Sequence, residues 1–398
     1  MSEWKEKTLG ELSIRVSSGL TPLKSKKEFW ENPSIPWLKT DQLGEKYIFD
    51  TNTKISKEAL EQTSLRIYPE NTISIAMYGE GKTRGNLSII KAPMTTNQAC
   101  CNIEIDPKLA DVEYVYYYLK TQYDSLRKLS SGVRKNLNSN DIKNYKIYIP
   151  ESVSAQKSIV RILMSLDNKI SLNNQINQEL EAMAKTLYDY WFVQFDFPDQ
   201  NGKPYKSSGG KMVYSPELKR EIPEGWGVEK LSYFLTIKNG KDHKHLQDGK
   251  FAVYGSGGIM RMVTDYLYSG ESILFPRKGT LNNVMYVNEK FWTVDTMFYS
   301  EVNKNNSSLY VFYSVKDIDF NKLNTGTGVP SMTSSILYDL NIIVPEENIL
   351  EKFNTVVKRN YETIKLNNIQ NQELIQLRDW LLPMLMNGQV KVEKSSCR

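Results

Sequence analysis

Only a few residues in this chain have the types and spacing that chemistry requires. Pro198-Asp199, followed after 17 residues by Glu217-Leu218-Lys219, fits the loose pattern of metal-dependent nucleases, in which carboxylates hold a divalent ion beside a lysine. That chemistry needs the carboxylates on adjacent core strands, and here they bracket a Gly- and Ser-containing stretch without strand alternation. Gly81-Lys82-Thr83 ends a near match to a phosphate-cradling loop. Ala76 stands where the first glycine belongs, and no helical pattern follows to supply an N-terminal dipole. His243 and His245 would share a face of a strand, but no Cys, His or carboxylate stands at ligand spacing. The run Lys241-Asp242-His243-Lys244-His245 reads instead as a plain surface loop or as a basic loop facing DNA. With two histidines in the whole chain, His-dependent acid–base catalysis has little to work with. No Gly-x-Ser-x-Gly elbow and no methyl-donor motif is present. The expectation is no catalytic residue and no metal site.

The chain has 398 residues and 45.9 kDa, with 40% hydrophobic residues, an ordinary globular composition. Its length suggests two or three domains at roughly 150 residues each. A formal charge of +5 is a mild basic bias, compatible with nucleic acid. Cys100 and Cys101 are adjacent and Cys397 is distant, which cannot make a disulfide framework and points to a reducing compartment. The start MSEWKEKTLGEL lacks the apolar core of a signal peptide, and no apolar run approaches about 18 residues. A cytoplasmic protein is expected.

The elements that must position any site come in two copies. LNNQINQEL (172–180) and LNNIQNQEL (366–374) agree at seven of nine positions, at an offset of 194. SGVRKNLNSNDIKNYKIYIP (131–150) parallels GTGVPSMTSSILYDLNIIVP (326–345). Trp4, Leu9 and Leu12 match Trp226, Leu231 and Phe234 at an offset of 222. The offset shrinks along the repeat, so the first copy has the longer interior.

Within 156–192 the positions Ile159, Ile162, Leu166, Lys169, Asn173, Ile176, Leu180, Met183, Leu187 and Tyr190 alternate steps of three and four, a heptad seam. Phe353, Val356, Asn360, Thr363, Asn367, Gln370, Leu374, Leu377, Leu381 and Met384 repeat it. Each helix would be roughly 55 Å long. The alternative is a solvated helix with an exposed middle. Two matched helices favour an antiparallel coiled coil within the chain, with Asn173, Asn367, Leu180 and Leu374 setting register.

SIPWLKT, YIFDTNTKI, NTISIAMYG, LSIIKAP, CCNIEI and YKIYIP read as strands of the first block. KFAVYG, SILFP, VMYVNE, FWTVDTMFY and LNIIVP read as strands of the second. Residues 109–129 read as a helix. The fold class is α+β, with two mixed domains joined by two long helices in a pseudo-two-fold duplication. The boundaries are a first mixed domain at 1–150, a first helix at 151–196, a linker rich in Gly, Pro, Ser and Lys at 197–223, a second mixed domain at 224–345, and a second helix and tail at 346–398.

This plan resembles the specificity subunits of type I restriction–modification systems over essentially the whole chain. FDFPDQNGKPYKSSGGKMVYSPELKREIPEGW is similar to the segment joining the halves of such subunits, and LRDWLLPMLMNGQVKV (377–392) resembles their second conserved region. Gly79, Gly81, Thr83, Arg84 and Gly85, with Asn97-Gln98, resemble the recognition-domain pattern. The second half departs from it at Arg277-Lys278-Gly279-Thr280 and Val294-Asp295-Thr296. The resemblance implies a subunit without its own active site, in which each domain reads half of a split DNA target. It implies two methyltransferase subunits modifying adenine and, for restriction, two motor–endonuclease subunits. S-adenosylmethionine, ATP and Mg are expected only in those partners. The candidate DNA-binding residues are Lys82, Thr83, Arg84, Asn86, Arg134, Lys135 and Asn136 in the first domain. In the second they are Lys241, His243, Lys244, Arg277, Lys278, Thr280 and Asn282, chosen because Lys, Arg and Asn on loops suit phosphates and base edges. Two rival readings remain at this point: a coiled-coil scaffold without a DNA role, and a stand-alone nuclease.

Overall fold

The computed structural model describes residues 3–79, 83–129, 136–324, 326, 328, 330–390 and 392. The chain divides into two units, Met1–Leu172 with Gln370–Arg398, and Asn173–Ile369. In the first unit the strands are β1 (Trp4–Thr8), β2 (Ser13–Ser18), β3 (Ile35–Leu38), β4 (Tyr47–Ile48), β5 (Lys54–Ile55), β6 (Thr72–Ala76), β7 (Leu87–Ile90), β8 (Thr95–Thr96), β9 (Cys100–Ile105) and β10 (Lys146–Pro150). A five-stranded sheet runs β2-β9-β6-β7-β4, beside a small β5-β3-β8 sheet and a β1-β10 pair. Strands β6, β7 and β9 are buried along their whole length, although TISIA and the end of CCNIEI alternate polar and apolar residues. Of the buried polar members, Thr72 Oγ1 donates to Pro69 O and Asn102 Nδ2 to Thr96 Oγ1, each at 2.8 Å. Burial pushes the Cys100 and Cys101 thiols up to about 12.

The short helices α1 (Lys57–Glu61), α2 (Val112–Thr121), α3 (Tyr123–Lys128) and α4 (Ser139–Lys143) complete this domain. Ser56, Asp111 and Asn138 cap α1, α2 and α4 through side-chain oxygens. The helix expected over 109–129 is therefore two, broken at Gln122 where φ −99° and ψ 11° leave the helical range.

The long helix α5 (Val153–Tyr188) begins in the first unit and ends in the second. There the strands are β11 (Met212–Ser215), β12 (Arg220–Pro223), β13 (Gly227–Lys230), β14 (Leu235–Asn239), β15 (Asp248–Gly255), β16 (Gly258–Val263), β17 (Tyr268–Pro276), β18 (Met285–Thr293), β19 (Met297–Val302) and β20 (Asn341–Val344). Six of them form a sheet ordered β14-β19-β17-β18-β15-β16. The sequence breaks strands at 289–291, yet β18 runs through, because Phe291 and Trp292 continue its burial. Helices α6 (Leu231–Phe234), α7 (Ser308–Lys316) and α8 (Ser334–Tyr338) precede the second long helix α9 (Glu347–Met386).

Both domains close in the same way. Pair β13-β20 repeats β1-β10. Tyr114 Oη donates to the Tyr148 carbonyl at 3.3 Å, and Tyr310 Oη donates to Ile343 at 2.7 Å. The segment expected as a linker is folded. Phe197 stacks on Trp226 and on Tyr205, each at 4.7 Å between ring centroids. Ser207 donates to both oxygens of Asp196 at 2.7 and 2.6 Å. The pair β11-β12 forms a hairpin between them. Composition concealed this because the aromatics that pin the segment flank its Gly/Ser stretch.

The helix seams differ from the expected register in one respect. The buried or half-buried line of α5 is Ile159, Leu163, Leu166, Ile170, Asn173, Asn177, Leu180, Ala184 and Leu187. That of α9 is Phe353, Val357, Asn360, Ile364, Asn367, Asn371, Leu374, Arg378, Leu381 and Leu385. Every second expected position holds in both helices, and the intervening one moves on by a residue. Met183 and Val356 are exposed. They drew the register toward themselves because they are apolar, while the polar Asn177 and Asn371 occupy the seam.

The pairing is antiparallel. In the second unit Asn367 donates to Asn177 at 2.8 Å, Asn177 donates to Asn368 at 3.0 Å, and Asn360 donates to the Leu180 carbonyl at 3.3 Å. In the first unit Arg378 of α9 meets Asp167 of α5 at 3.0 Å. Asp167 also accepts from Tyr117 Oη and stands 3.6 Å from Lys46 Nζ, which pairs with Glu113 at 3.0 Å. This knot ties β4 and α2 of the domain to both helices. Burial works against the Arg378 charge, but its bonds to Asp167 and Asp379 outweigh burial and raise its pKa.

Replacing buried Asn177 with Leu removes the acceptor of the half-buried Asn367 amide and the donor to exposed Asn368. We expect a loss of about 1–3 kcal/mol in denaturant unfolding, although Leu is the more apolar residue. A more stable variant would contradict this role for Asn177.

Candidate nucleic-acid interface

One backbone frame recurs in both units and carries most of the candidate residues. Gly19 N donates to Cys100 O at 3.1 Å, and Gly240 N to Met297 O at 2.9 Å. Leu20 N and Lys241 N donate to Thr96 O and Thr293 O, each at 2.9 Å. Met77 N and Arg277 N donate to Ala99 O and Thr296 O, each at 2.8 Å. Leu137 N and Met332 N donate to Met77 O and Arg277 O at 3.1 and 2.9 Å. In each domain these bonds gather the loops after β2 or β14, after β6 or β17, and before β9 or β19.

The frame explains two glycines that sequence reasoning missed. A Cβ on Gly19 would collide with the Thr96 and Asn97 carbonyls, and one on Gly240 would collide with Val294 O and stand 2.7 Å from Thr293 O. Backbone meets backbone here, so only glycine fits. VSSGL and IKNGK lie at equivalent places after the duplicated starts, and that was the available signal.

In the second unit the frame brings together the exposed Lys241, Lys244, Arg277, Lys278 and Thr280, with His243 half-buried beside them. Among the described residues, none of these four cations is in an ion pair. Arg277 lies over the Phe298 ring, 5.8 Å from its centroid. The two histidines stand on the loop between β14 and β15 and not on a strand, and His245 meets Trp292 edge-on. Exposed Asn282 donates to Asp319 at 3.1 Å. Its neighbour Asn283 matches Asn86 structurally: Asn283 Nδ2 donates to Ser256 O at 2.8 Å, and Asn86 Nδ2 to Leu43 O at 3.2 Å. Asn86 thus uses its amide to hold a neighbouring loop.

In the first unit Thr83, Arg84 and Asn86 lie half-buried on the β6–β7 loop, and half-buried Asn136 precedes Leu137, which bonds to that loop's first residue. Lys82, Arg134 and Lys135 lie outside the described residues. Asn97 and Gln98 form a tight turn before β9: Asn97 Oδ1 accepts from Ala99 N at 3.1 Å, and Gln98 accepts from Thr21.

The nuclease-like motif has no assembled site. Asp199 accepts from Asn201 N and Lys203 N, both at 2.8 Å, and Glu217 accepts from Ser215 at 2.8 Å. Among the described residues no group of three or more His, Cys, Asp or Glu is placed to hold a metal. No helix among them is long and apolar enough to cross a membrane.

Comparison with known proteins agrees with this architecture. The family model described as the type I restriction modification DNA specificity domain matches residues 1–182 and 223–376. The type I restriction enzyme MjaIX specificity subunit of Methanocaldococcus jannaschii is 30% identical, over 98% of this chain and 94% of that protein. The EcoR124I/EcoR124II specificity subunit of Escherichia coli is 32% identical over 49% of this chain and 48% of its own. The crystal structure of a type I restriction–modification system S subunit from M. genitalium shares the fold, with a TM-score of 0.64 at 18% identity and 96% coverage of each chain. The chain therefore belongs to the family of type I restriction–modification specificity subunits, whose general role is DNA target recognition.

Substituting Gly240 with Ala is expected to cost about 1–3 kcal/mol, the range for forced overpacking. Gly257, where an added Cβ meets nothing within 4 Å, serves as the matched control. Thermal unfolding of the two variants checks this, and equal melting temperatures would show that Gly240 is not required by the close approach of backbone.

Proposed function

We propose that this chain reads a bipartite DNA target and directs partner subunits to it, with no catalytic residue of its own. Residues 1–150 and 224–345 act as the two recognition domains, each facing one half-site. The helices at 151–196 and 346–398 fix the separation of the half-sites, since spacing in a duplicated reader is geometric. A helix of roughly 55 Å corresponds to about 16 base pairs, which bounds the whole footprint.

The observation that carries this reading is the shared backbone frame with exchanged side chains. Lys241 stands where Leu20 does, and Arg277 and Lys278 stand where Met77 and Tyr78 do. Equal frames with different tips suit two readers of different sequences. The proposed partners are two methyltransferase subunits, which modify adenine with S-adenosylmethionine, and two motor–endonuclease subunits using ATP and Mg. The reading places the complex in the cytoplasm.

The test is the adenine methylome of cells with and without the gene. Loss of one bipartite methylated motif is expected; an unchanged methylome sinks the proposal. With the assembled methyltransferase, Arg84→Ala should weaken or relax one half-site only. Arg277→Ala with Lys278→Ala should affect the other half-site and flatten the salt dependence by about 0.9 in log–log slope for each phosphate that is no longer neutralised. An unchanged slope would show that neither residue touches phosphate.

A further inference from the structure

We propose that the β15–β16 hairpin is a base-reading ribbon of the second domain, with Ile259 and Met260 seated against thymine methyl groups in the major groove. This rests on the DNA-reading function proposed above.

Strand β16 is the edge of the six-stranded sheet, a place where proteins normally put charge, proline or a cover. Here Ile259 is 61% exposed, Met260 59% and Met262 42%. Register adds a second anomaly: Tyr254 pairs with Ile259 and Val253 with Arg261, leaving Met260 as the extra residue of a bulge. Bulges re-aim side chains and recur beside functional sites. Within the tip, Gly255-Ser256-Gly257-Gly258, an added Cβ on Gly257 or Gly258 meets nothing within 4 Å and Gly258 has φ 113°, while the Met260 side chain lies over Gly255, where a Cβ would collide with its Sδ.

The two basic loops flank this ribbon. On one side Arg261 donates to Leu246 O at 3.0 Å and Thr264 N to Gln247 O at 3.0 Å, fixing the loop that carries Lys241 and Lys244. On the other, Asn283 holds Ser256 O at 2.8 Å, and a Cβ on Gly279 would stand 2.9 Å from Ser256 Oγ, so the Arg277-Lys278 loop abuts the tip. The carboxylate on the ribbon, Asp248, is matched by Arg261 at 2.7 Å, and Asp242 turns toward Lys244 N at 3.4 Å. Asp295 is exposed beside the frame.

An apolar tip between cationic rims fits one polyanion well. The major groove admits a two-stranded ribbon, its walls are phosphates, and the thymine methyl is the apolar group on its base edges. The rival occupant is a partner protein adding a strand to the β16 edge.

The experiment uses the full chain assembled with its methyltransferase subunits and duplexes carrying the target found in the methylome. Deoxyuridine replaces thymidine in one half-site at a time. The wild-type complex should lose about fourfold in affinity for each methyl removed in the second domain's half-site. The Ile259→Ser, Met260→Ser double variant should bind that half-site more weakly and no longer distinguish uracil from thymine there. Its reading of the other half-site should be intact, which certifies folding, and Ile259→Val with Met260→Leu should keep the discrimination. A second half-site without thymine overturns the proposal, as does wild-type indifference to uracil or equal sensitivity in the double variant. Loss of methyltransferase co-purification in the double variant also overturns it, in favour of the protein-edge reading. A wild-type complex that binds no bipartite target removes the functional reading itself.

Discussion

The pairing of two long helices along a seam of alternating three- and four-residue steps is the constraint on which the rest of the structure depends. Ile159, Val160 and Leu163 of α5 belong to the first core, with Leu385 and Met386 of α9. Leu350, Phe353 and Val357 of α9 belong to the second, with Ala184 of α5. Neither domain has a complete core without helix segments from both parts of the chain. Asparagines occupy the seam where the apolar residues give out. A buried amide that must find its partner specifies register more sharply than another leucine, at some cost in stability.

Upon that base each domain repeats a rigid piece of backbone. The close approaches at Gly19 and Gly240 allow no side chain, so the loops they anchor leave their sheets in the same way in both domains. Backbone hydrogen bonds are indifferent to side-chain identity, which leaves the residues at the loop tips free to differ. This separates the holding of a loop from what the loop presents. Asn86 and Asn283 belong to the holding, whereas Lys241, Arg277 and Lys278 belong to the presentation.

Much of this was legible in the sequence. The duplication, the α+β blocks and the two helices follow from repeated strings and apolar spacing, because these report directly on burial. Half of each seam was displaced. In α5 apolar Ile176 and Met183 imitate seam residues while Asn177 does the seam's work with an amide, whereas at Lys169 and Thr363 the count of threes and fours passes over the apolar neighbours Ile170 and Ile364 that hold the seam. The folded segment at 197–223 hid behind glycines and serines, its order coming from distant aromatics such as Trp226. The paired glycines were invisible as chemistry, since their role is the absence of a side chain. The candidate loops were found by residue type, but type alone could not tell the bonded Asn86 from an exposed lysine.

The ion pair between Asp167 and Arg378 has a consequence for how such a chain can be assembled. By the offset of the duplication, the counterpart of Asp167 is Tyr361 and that of Arg378 is Ala184. The first half thus carries an acid and an alanine, and the second a tyrosine and an arginine. A pairing of two first-half helices would set Asp167 against Ala184 and leave it only Tyr117 and Lys46 of its own domain. A pairing of two second-half helices would set Arg378 against Tyr361. Only unlike helices bring these two charges together. At this crossing the duplication is no longer symmetric: each copy carries one half of a complementary pair.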